Sequence, residues 1–143
     1  MHINEIKIDT PEYQEMITLR DDVLRKPLGI TLDLTKLGNE ATDFLIGCYE
    51  EEELIGCVIL TPLNSHELKL RQMAVHANWQ GCGIGSEIVG WAEDFARHQG
   101  YSLIRMNARK YAIPFYEKLG YSTYGDEFLE VGIPHLAMQK ELL

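Results

Sequence analysis

The sequence predicts a single α/β domain, and three observations support that prediction. A strand pattern over residues 67–75 is followed by a glycine-rich loop and then by apolar residues at helical spacing from Ile84. Two apolar, β-leaning runs, residues 43–49 and 54–60, stand on either side of four glutamates, as in a hairpin with a charged tip. The parity of the apolar positions changes within the 67–75 strand, which indicates a β-bulge.

The first predicted elements are a strand and a capped helix. Residues 3–8 alternate loosely between apolar and polar side chains and predict a strand. Thr10 followed by Pro11 is typical of a helix start, because threonine caps free backbone amides and proline fits the first turn. The helix should run to about Arg25, and residues 31–38 predict a short second helix or a loop.

The hairpin that follows is predicted to be buried on both faces. Residues 43–49 and 54–60 are apolar at consecutive positions, which is typical of strands covered on both sides. The glutamates between them, residues 50–53, are expected to form a solvated turn rather than an acidic site.

The next strand has an irregular apolar pattern. Its apolar face falls on even positions up to Leu70 and on odd positions from Met73, with Arg71-Gln72 between them. One extra residue explains the change, so we expect a bulge at Arg71-Gln72 and a loss of pairing with the strand at residues 103–107. The alternative is that these two polar residues face solvent at a frayed strand end.

A glycine-rich loop opens the long helix. Such a loop presents unpaired backbone N–H groups at the positive end of the helix dipole, and glycine lets a ligand approach the backbone closely. It therefore predicts a phosphate or pyrophosphate cradle, the alternative being a flexible turn before a surface helix. The loop consists of Gln80, Gly81, Cys82, Gly83, Ile84, Gly85 and Ser86.

Two better-defined nucleotide motifs are absent. The phosphate-binding loop of nucleoside triphosphatases needs Gly-Lys-Ser/Thr, and no lysine lies between Lys69 and Lys110. The dinucleotide fingerprint needs a third glycine where Ser86 stands, and an acidic residue after the next strand, which ends in Asn107. A dinucleotide-dependent oxidoreductase is therefore disfavoured.

The C-terminal third predicts a helix end, a strand, a short helix and two more strands. Gly100 ends the long helix, and residues 103–107 form a β run. Residues 114–120 begin with proline and end with glycine, which suits a short helix. Residues 122–124 and 133–140 are the last predicted strands.

Charge is distributed unevenly along the chain of 143 residues, whose net charge is −9. That balance argues against nucleic acid as a partner. Residues 67–118 carry 7 basic and 5 acidic side chains and are the only positive segment, while residues 1–66 and 119–143 are acidic. A positive segment around the glycine loop suits a phosphate-bearing ligand, although ordinary scatter of surface charge is the alternative.

The cysteines and the N-terminus favour a cytoplasmic protein. The three cysteines have no metal-ligand spacing and cannot all pair internally, so free thiols in a reducing compartment are expected and no metal site is predicted. The N-terminal residues show no signal-peptide pattern, and no apolar run approaches the ~20 residues of a membrane span.

Two motifs resemble those of the GCN5-related N-acetyltransferase (GNAT) superfamily. The acyl-CoA loop of that family follows the pattern Arg/Gln-x-x-Gly-x-Gly/Ala, which Gln80, Gly83 and Gly85 match. Residues 115–121 resemble the family's FY-x-x-x-GF/Y signature. The chain looks most similar to small bacterial members with a Gly-Ile-Pro-His segment near the C-terminus, here residues 132–135.

The resemblance implies a fold and a cosubstrate. The fold is a mixed, mostly antiparallel sheet that is splayed into a V at a central β-bulge and flanked by about four helices. The cosubstrate is acetyl-CoA, with its pyrophosphate on the amides of residues 80–86. Asn107 resembles the asparagine that bonds the pantetheine chain, its alternative role being that of a strand-end turn residue. The backbone contacts to the pantetheine arm would come from Met73, Ala74 and Val75.

The chemistry implied is acetyl transfer to an amine, which needs a polarised carbonyl and a proton for the departing thiolate. A backbone N–H near Val75, freed by the bulge, is expected to polarise the carbonyl. Tyr116 is the predicted proton donor, because a phenol with a pKa of about 10 is protonated at neutral pH and the equivalent tyrosine acts so in related enzymes. Its alternative role is to pack on a short helix. Glu130, Asp126 and His135 are candidate general bases, and the sequence singles out none of them.

The predicted function is direct transfer of an acetyl group from acetyl-CoA to a primary amine of a small molecule or peptide. Cys82 is interpreted as a loop residue, because no histidine partner for a thiol nucleophile is evident. The alternative function is a non-catalytic acyl-CoA binding or sensing module on the same fold. The acidic outer segments favour a cationic amine as acceptor, and the resemblance suggests a homodimer.

Overall fold

The computed structural model describes residues 1–30 and 40–142. The strands are β1 (His2–Ile6), β2 (Phe44–Glu50), β3 (Glu53–Pro62), β4 (Glu67–Val75), β5 (Leu103–Arg109), β6 (Ser122–Glu130) and β7 (Ile133–Glu141). The helices are α1 (Pro11–Arg20), α2 (Ile84–His98) and α3 (Ile113–Lys118). Short 3₁₀ segments lie at Lys26–Leu28, Ala77–Trp79 and Lys110–Ala112.

The strands form one mixed, mostly antiparallel sheet in the order β1-β2-β3-β4-β5-β7-β6, as predicted, and β4 and β5 pair in parallel. Residues of β2 and β3 contribute alternately to two buried clusters, one shared with α1 and the other with α2 and α3. The sheet is therefore covered on both faces at the hairpin, which confirms that prediction. Three α-helices flank it in the described part of the chain, and the predicted helix or loop at residues 31–38 lies outside that part.

The predicted bulge in β4 is confirmed. Cys57 is opposite Ala74 and Ile59 is opposite Arg71, so a single residue of β3 faces two residues of β4. Gln72 has a φ of +56°, in the left-handed region. Parallel pairing with β5 is confined to residues 67–69 of β4, so beyond that point the two strands separate and the sheet opens.

The first helix begins as predicted but changes geometry before its end. The hydroxyl of Thr10 accepts a hydrogen bond from the backbone N–H of Tyr13 at 3.2 Å. After Arg20 the chain forms a π turn over Asp21–Arg25, which places side chains five residues apart on the same side. Arg20 Nε and Arg25 Nη2 accordingly both donate to Gln72 Oε1, at 3.3 and 3.1 Å. The helix is thereby attached to the bulge.

Strand β6 is longer than predicted. It runs from Ser122 to Glu130 instead of ending at Tyr124, and its register against β7 is irregular between Tyr124 and Phe128. Most of its residues are exposed, because it is the outer strand of the sheet. A strand without a buried face has no apolar alternation to reveal it in the sequence.

A buried ion pair lies between α1 and the sheet. Arg20 and Glu40 are 1% and 2% exposed, and two nitrogens of the guanidinium donate to the two carboxylate oxygens at 2.8 and 2.7 Å. Tyr13 Oη donates to Glu40 at 2.7 Å, and Arg71 Nη2 does so at 3.3 Å. Burial raises the pKa of Glu40, but the hydrogen bonds from Arg20 and Tyr13 outweigh burial and lower it.

We expect Glu40→Gln to lower the free energy of unfolding by about 3–5 kcal/mol, because it leaves a buried guanidinium without its charge partner. Since the folded pKa is lowered, the contribution of Glu40 is present at neutral pH and is lost as the pH falls through that folded value. Urea denaturation at pH 7 and in acid measures both effects. Glu15→Gln, on the exposed side of α1, is the control, and equal losses in the two variants would contradict the argument.

No helix in the two described ranges is both long and apolar enough to cross a membrane.

Candidate functional site

The glycine loop leaves open space at the start of α2. Gly83 is the N-terminal cap of the helix with a φ of +82°, and Gly81 has a φ of +78°. A Cβ atom built at either position meets nothing within 4 Å, so space beside both is free. The two glycines are required by their left-handed backbone, and the amides of the first helical turn have no intrahelical acceptors. This geometry fits an anionic ligand.

The third glycine has a different role. A Cβ atom at Gly85 would lie 3.0 Å from Cζ of Phe115, so its absence lets α3 pack against the first turn of α2. Phe115 belongs to the second motif found in the sequence. The contact therefore joins the two motifs and places Tyr116, the next residue, close to the start of α2.

The loop is also connected to the end of β4. Gln80 Nε2 donates to the carbonyl oxygen of Val75 at 2.9 Å. Ala74 and Val75 pair with β3 on one side, whereas the pairing of β4 with β5 ends at Lys69. The other backbone edge of residues 73–75 therefore faces the opening in the sheet, where an extended ligand could pair with it.

Other predicted loop residues occupy different environments. The side chain of Ile84 lies in the buried core, and Ser86 is exposed. Cys82 is an exposed free thiol, whereas Cys48 and Cys57 are free and buried. Among residues 1–30 and 40–142, no three potential metal ligands come together.

Asn107 is part of a hydrogen-bonded chain on the face of the sheet opposite α2. Its Nδ2 donates to Glu130 Oε1 at 3.1 Å, and the other carboxylate oxygen lies 3.5 Å from Nε2 of His135. His135 is buried, with Nδ1 2.7 Å from the carbonyl oxygen of Ile133. The structure thus brings together two of the three candidate bases, while the third, Asp126, is exposed. The contact also orients the amide of Asn107 so that its Oδ1 points away from Glu130.

Tyr116 lies in the core beneath the start of α2. Its side chain is 6% exposed and its ring packs edge-on against Phe115 and Tyr121, with centroids 5.0 and 5.9 Å away. Its hydroxyl has no hydrogen-bond partner within the described residues. Burial, with a smaller contribution from Tyr111, raises the pKa of Tyr116 above the usual range of a phenol. The hydroxyl therefore stays protonated at neutral and moderately alkaline pH.

A polar network that the sequence did not indicate holds the end of α3. Tyr121 Oη donates to Glu93 Oε2 at 3.0 Å, and Lys140 Nζ donates to Glu93 Oε1 at 2.9 Å. Lys140 also donates to the carbonyl oxygen of Leu119 at 2.8 Å. Because Glu93 is on α2 and Lys140 is on β7, the network connects both elements to the chain just after α3.

The family model "Acetyltransferase (GNAT) family" matches residues 6–121. The relative "Uncharacterized N-acetyltransferase YjcF" of Bacillus subtilis is 29% identical over 133 residues, which is 91% of this chain and 93% of that protein. Two other B. subtilis relatives match with higher identity over 76 and 77 residues, so the chain spans only 52% of their lengths.

Solved structures share the whole fold. An aminoglycoside 6'-N-acetyltransferase complexed with coenzyme A has a TM-score of 0.82 at 18% identity, covering 100% of this chain and 98% of that one. A GNAT family acetyltransferase from Elizabethkingia anophelis with acetyl-CoA bound has a TM-score of 0.75 at 19% identity, covering 99% and 97%. The matched family model spans most of the chain and includes both motifs, so this chain belongs to the acetyltransferase (GNAT) family.

Proposed function

We propose that this protein transfers an acetyl group from acetyl-CoA directly to a primary amine of a small molecule or peptide. The observation that carries the proposal is the open space beside Gly81 and Gly83 at the start of α2, together with the separation of β4 and β5 after Lys69. Two proteins that share the fold were solved with coenzyme A or acetyl-CoA.

The geometry supports three binding roles. The amides of residues 80–86 would hold the pyrophosphate, because they lie at a helix N-terminus with free space beside two glycines. The free backbone edge of residues 73–75 would pair with the pantetheine arm. Asn107 would accept a hydrogen bond from that arm through Oδ1, since its Nδ2 is already bonded to Glu130.

The chemistry then requires three events at the opening of the sheet. The neutral amine attacks the thioester carbonyl carbon, and a backbone N–H near Val75 stabilises the developing oxyanion. The carbon–sulfur bond breaks, and Tyr116 donates its proton to the departing thiolate. The amine proton passes to solvent or to a base, for which Glu130 and His135 are the candidates that the structure brings together. Cys82 has no histidine partner in the described chain, which supports direct transfer.

The test is a screen of amine acceptors in which release of free coenzyme A is measured with a thiol reagent. Amine-dependent thiol release, with an acetylated product found by mass spectrometry, is the expected result. If acetyl-CoA raises the melting temperature while no amine of a broad panel causes thiol release, the non-catalytic binding module is favoured instead.

A further inference from the structure

The π turn after α1 bridges the two strands that separate. On one side Arg25 Nη2 donates to Gln72 Oε1 on β4, at 3.1 Å. On the other, Arg109 Nη2 at the end of β5 donates to the carbonyl oxygen of Leu24, at 3.3 Å. Two guanidinium groups are thereby brought to the opening, on the face of the sheet that α1 covers.

The positive charge of these two groups is not neutralised by a carboxylate of the described residues. The hydrogen bonds that Arg25 and Arg109 make there go to neutral oxygens, and neither forms an ion pair with a residue of the ranges 1–30 and 40–142. Nη1 of Arg25 is shielded from solvent and has no acceptor among the described residues, which costs free energy that a ligand oxygen would recover after a small movement of the side chain.

Neighbouring charges do not supply the missing partner. Glu40 is the buried carboxylate nearby, and it already accepts hydrogen bonds from Arg20, Tyr13 and Arg71. Burial and the charge of Arg20 lower the pKa of Arg25, against smaller opposing contributions from Asp21 and Glu40. Arg25 is thus a half-buried cation close to a second one, Arg20.

The phosphates of the cosubstrate are not the expected partner either. The glycine loop belongs to α2, which packs on the opposite face of the sheet, where Ala108 of β5 is buried. Arg109 is the next residue of the same strand, so its side chain points to the other face. A ligand that meets both arginines reaches the opening from the α1 side.

We propose that the amine acceptor carries a carboxylate, as an amino acid does, and that Arg25 and Arg109 bind this carboxylate at the opening of the sheet. The inference rests on the proposed function and names its substrate class. Guanidinium groups suit this task because their planar N–H donors match the two oxygens of a carboxylate. It replaces the expectation of a cationic acceptor, which was based on net charge in segments of the sequence rather than on side chains at the opening.

The first test compares acids with their amides as acceptors. Each of the common α-amino acids, β-alanine and 4-aminobutyrate is assayed beside its own carboxamide, with thiol release as the readout and melting temperature with acetyl-CoA as a separate measurement. We expect the substrates to include acids whose kcat/KM is at least about tenfold above that of their amides.

Three results would overturn the inference. In the first, amides or simple alkylamines react as well as the acids. In the second, no acid reacts while acetyl-CoA still raises the melting temperature, so cosubstrate binding stands and the carboxylate class is wrong. In the third, acetyl-CoA gives no melting shift and no acceptor causes thiol release, and the proposed function fails as well.

The second test substitutes the arginines. Arg25→Gln and Arg109→Gln should each raise KM for the best acid by roughly 10- to 100-fold, with little change in KM for its amide or for acetyl-CoA. Arg25→Lys keeps the charge and should fall between. Lys110→Gln, which removes an exposed cation paired with Glu127, is the control and should change no KM. Equal losses for acid and amide would show that the arginines only maintain the fold.

Discussion

Gly83→Asp is expected to abolish the stabilisation of the protein by acetyl-CoA. A ligand at one hundred times its dissociation constant adds about 2.7 kcal/mol to the stability of the folded state, which a thermal melt detects readily. An aspartate at the helix cap would place a negative charge in the free space beside the loop, where the pyrophosphate should lie. Coenzyme A and acetyl-CoA should raise the melting temperature of the unsubstituted protein, and NAD and ATP should do so far less.

Gly83→Asn is the matched control, because it adds a side chain of the same size without the charge. The φ of +82° strains both variants, and asparagine and aspartate are the non-glycine residues that tolerate this region best. Both should therefore melt at similar temperatures without ligand, while only the aspartate variant loses the ligand-induced shift completely. An undiminished shift in Gly83→Asp would place the pyrophosphate elsewhere.

The features that could be predicted from the sequence are those encoded within a few neighbouring residues. The glycine loop, the Thr10 cap and the bulge at Arg71-Gln72 each rest on a short pattern with one physical cause. The bulge was visible because one inserted residue moves every later side chain of the strand to the other face. The structure confirms all three, and the opening between β4 and β5 lies at the predicted bulge.

The missed features depend on residues far apart in the chain. Arg20 meets Glu40 because α1 packs against the sheet. Glu130 meets Asn107 and His135 because β5, β7 and β6 follow one another in the sheet. No local pattern marks such pairs, and an exposed outer strand such as β6 adds no periodic signal. The same limit hides the contact between Gly85 and Phe115, which lie 30 positions apart in the chain.

Tyr116→Phe is expected to reduce kcat by roughly 10²–10⁴-fold if the phenol protonates the departing thiolate in the transition state. The substitution keeps the ring and its edge-on contacts and removes only the hydroxyl. KM for acetyl-CoA should change little, because the phosphates and the pantetheine arm would be bound by other residues. Stability should also change little, since the hydroxyl has no hydrogen-bond partner in the described residues.

The pKa of Tyr116 changes what a pH profile should show. A phenol with an ordinary pKa of ~10 would cause activity to fall in the alkaline range as it ionises. Burial raises the pKa of Tyr116, so its protonated, proton-donating form persists through that range. We therefore expect no alkaline loss due to this group up to about pH 10, and the Phe variant should show a parallel profile at lower activity.

Tyr121→Phe is the control that separates catalysis from packing. Tyr121 lies beside Tyr116 with its ring buried in the same cluster, but its hydroxyl donates to Glu93 at 3.0 Å. Removing that hydroxyl leaves a buried carboxylate with one donor fewer, which should lower stability by about 1–3 kcal/mol while kcat is largely kept. The substitution at Tyr116 should thus lower kcat, whereas the one at Tyr121 should lower stability.

Two results would contradict the role of Tyr116 as proton donor. A Tyr116→Phe variant with near-normal kcat, once chemistry is shown to limit the rate, would make Tyr116 a packing residue. A loss confined to KM would make it a binding residue.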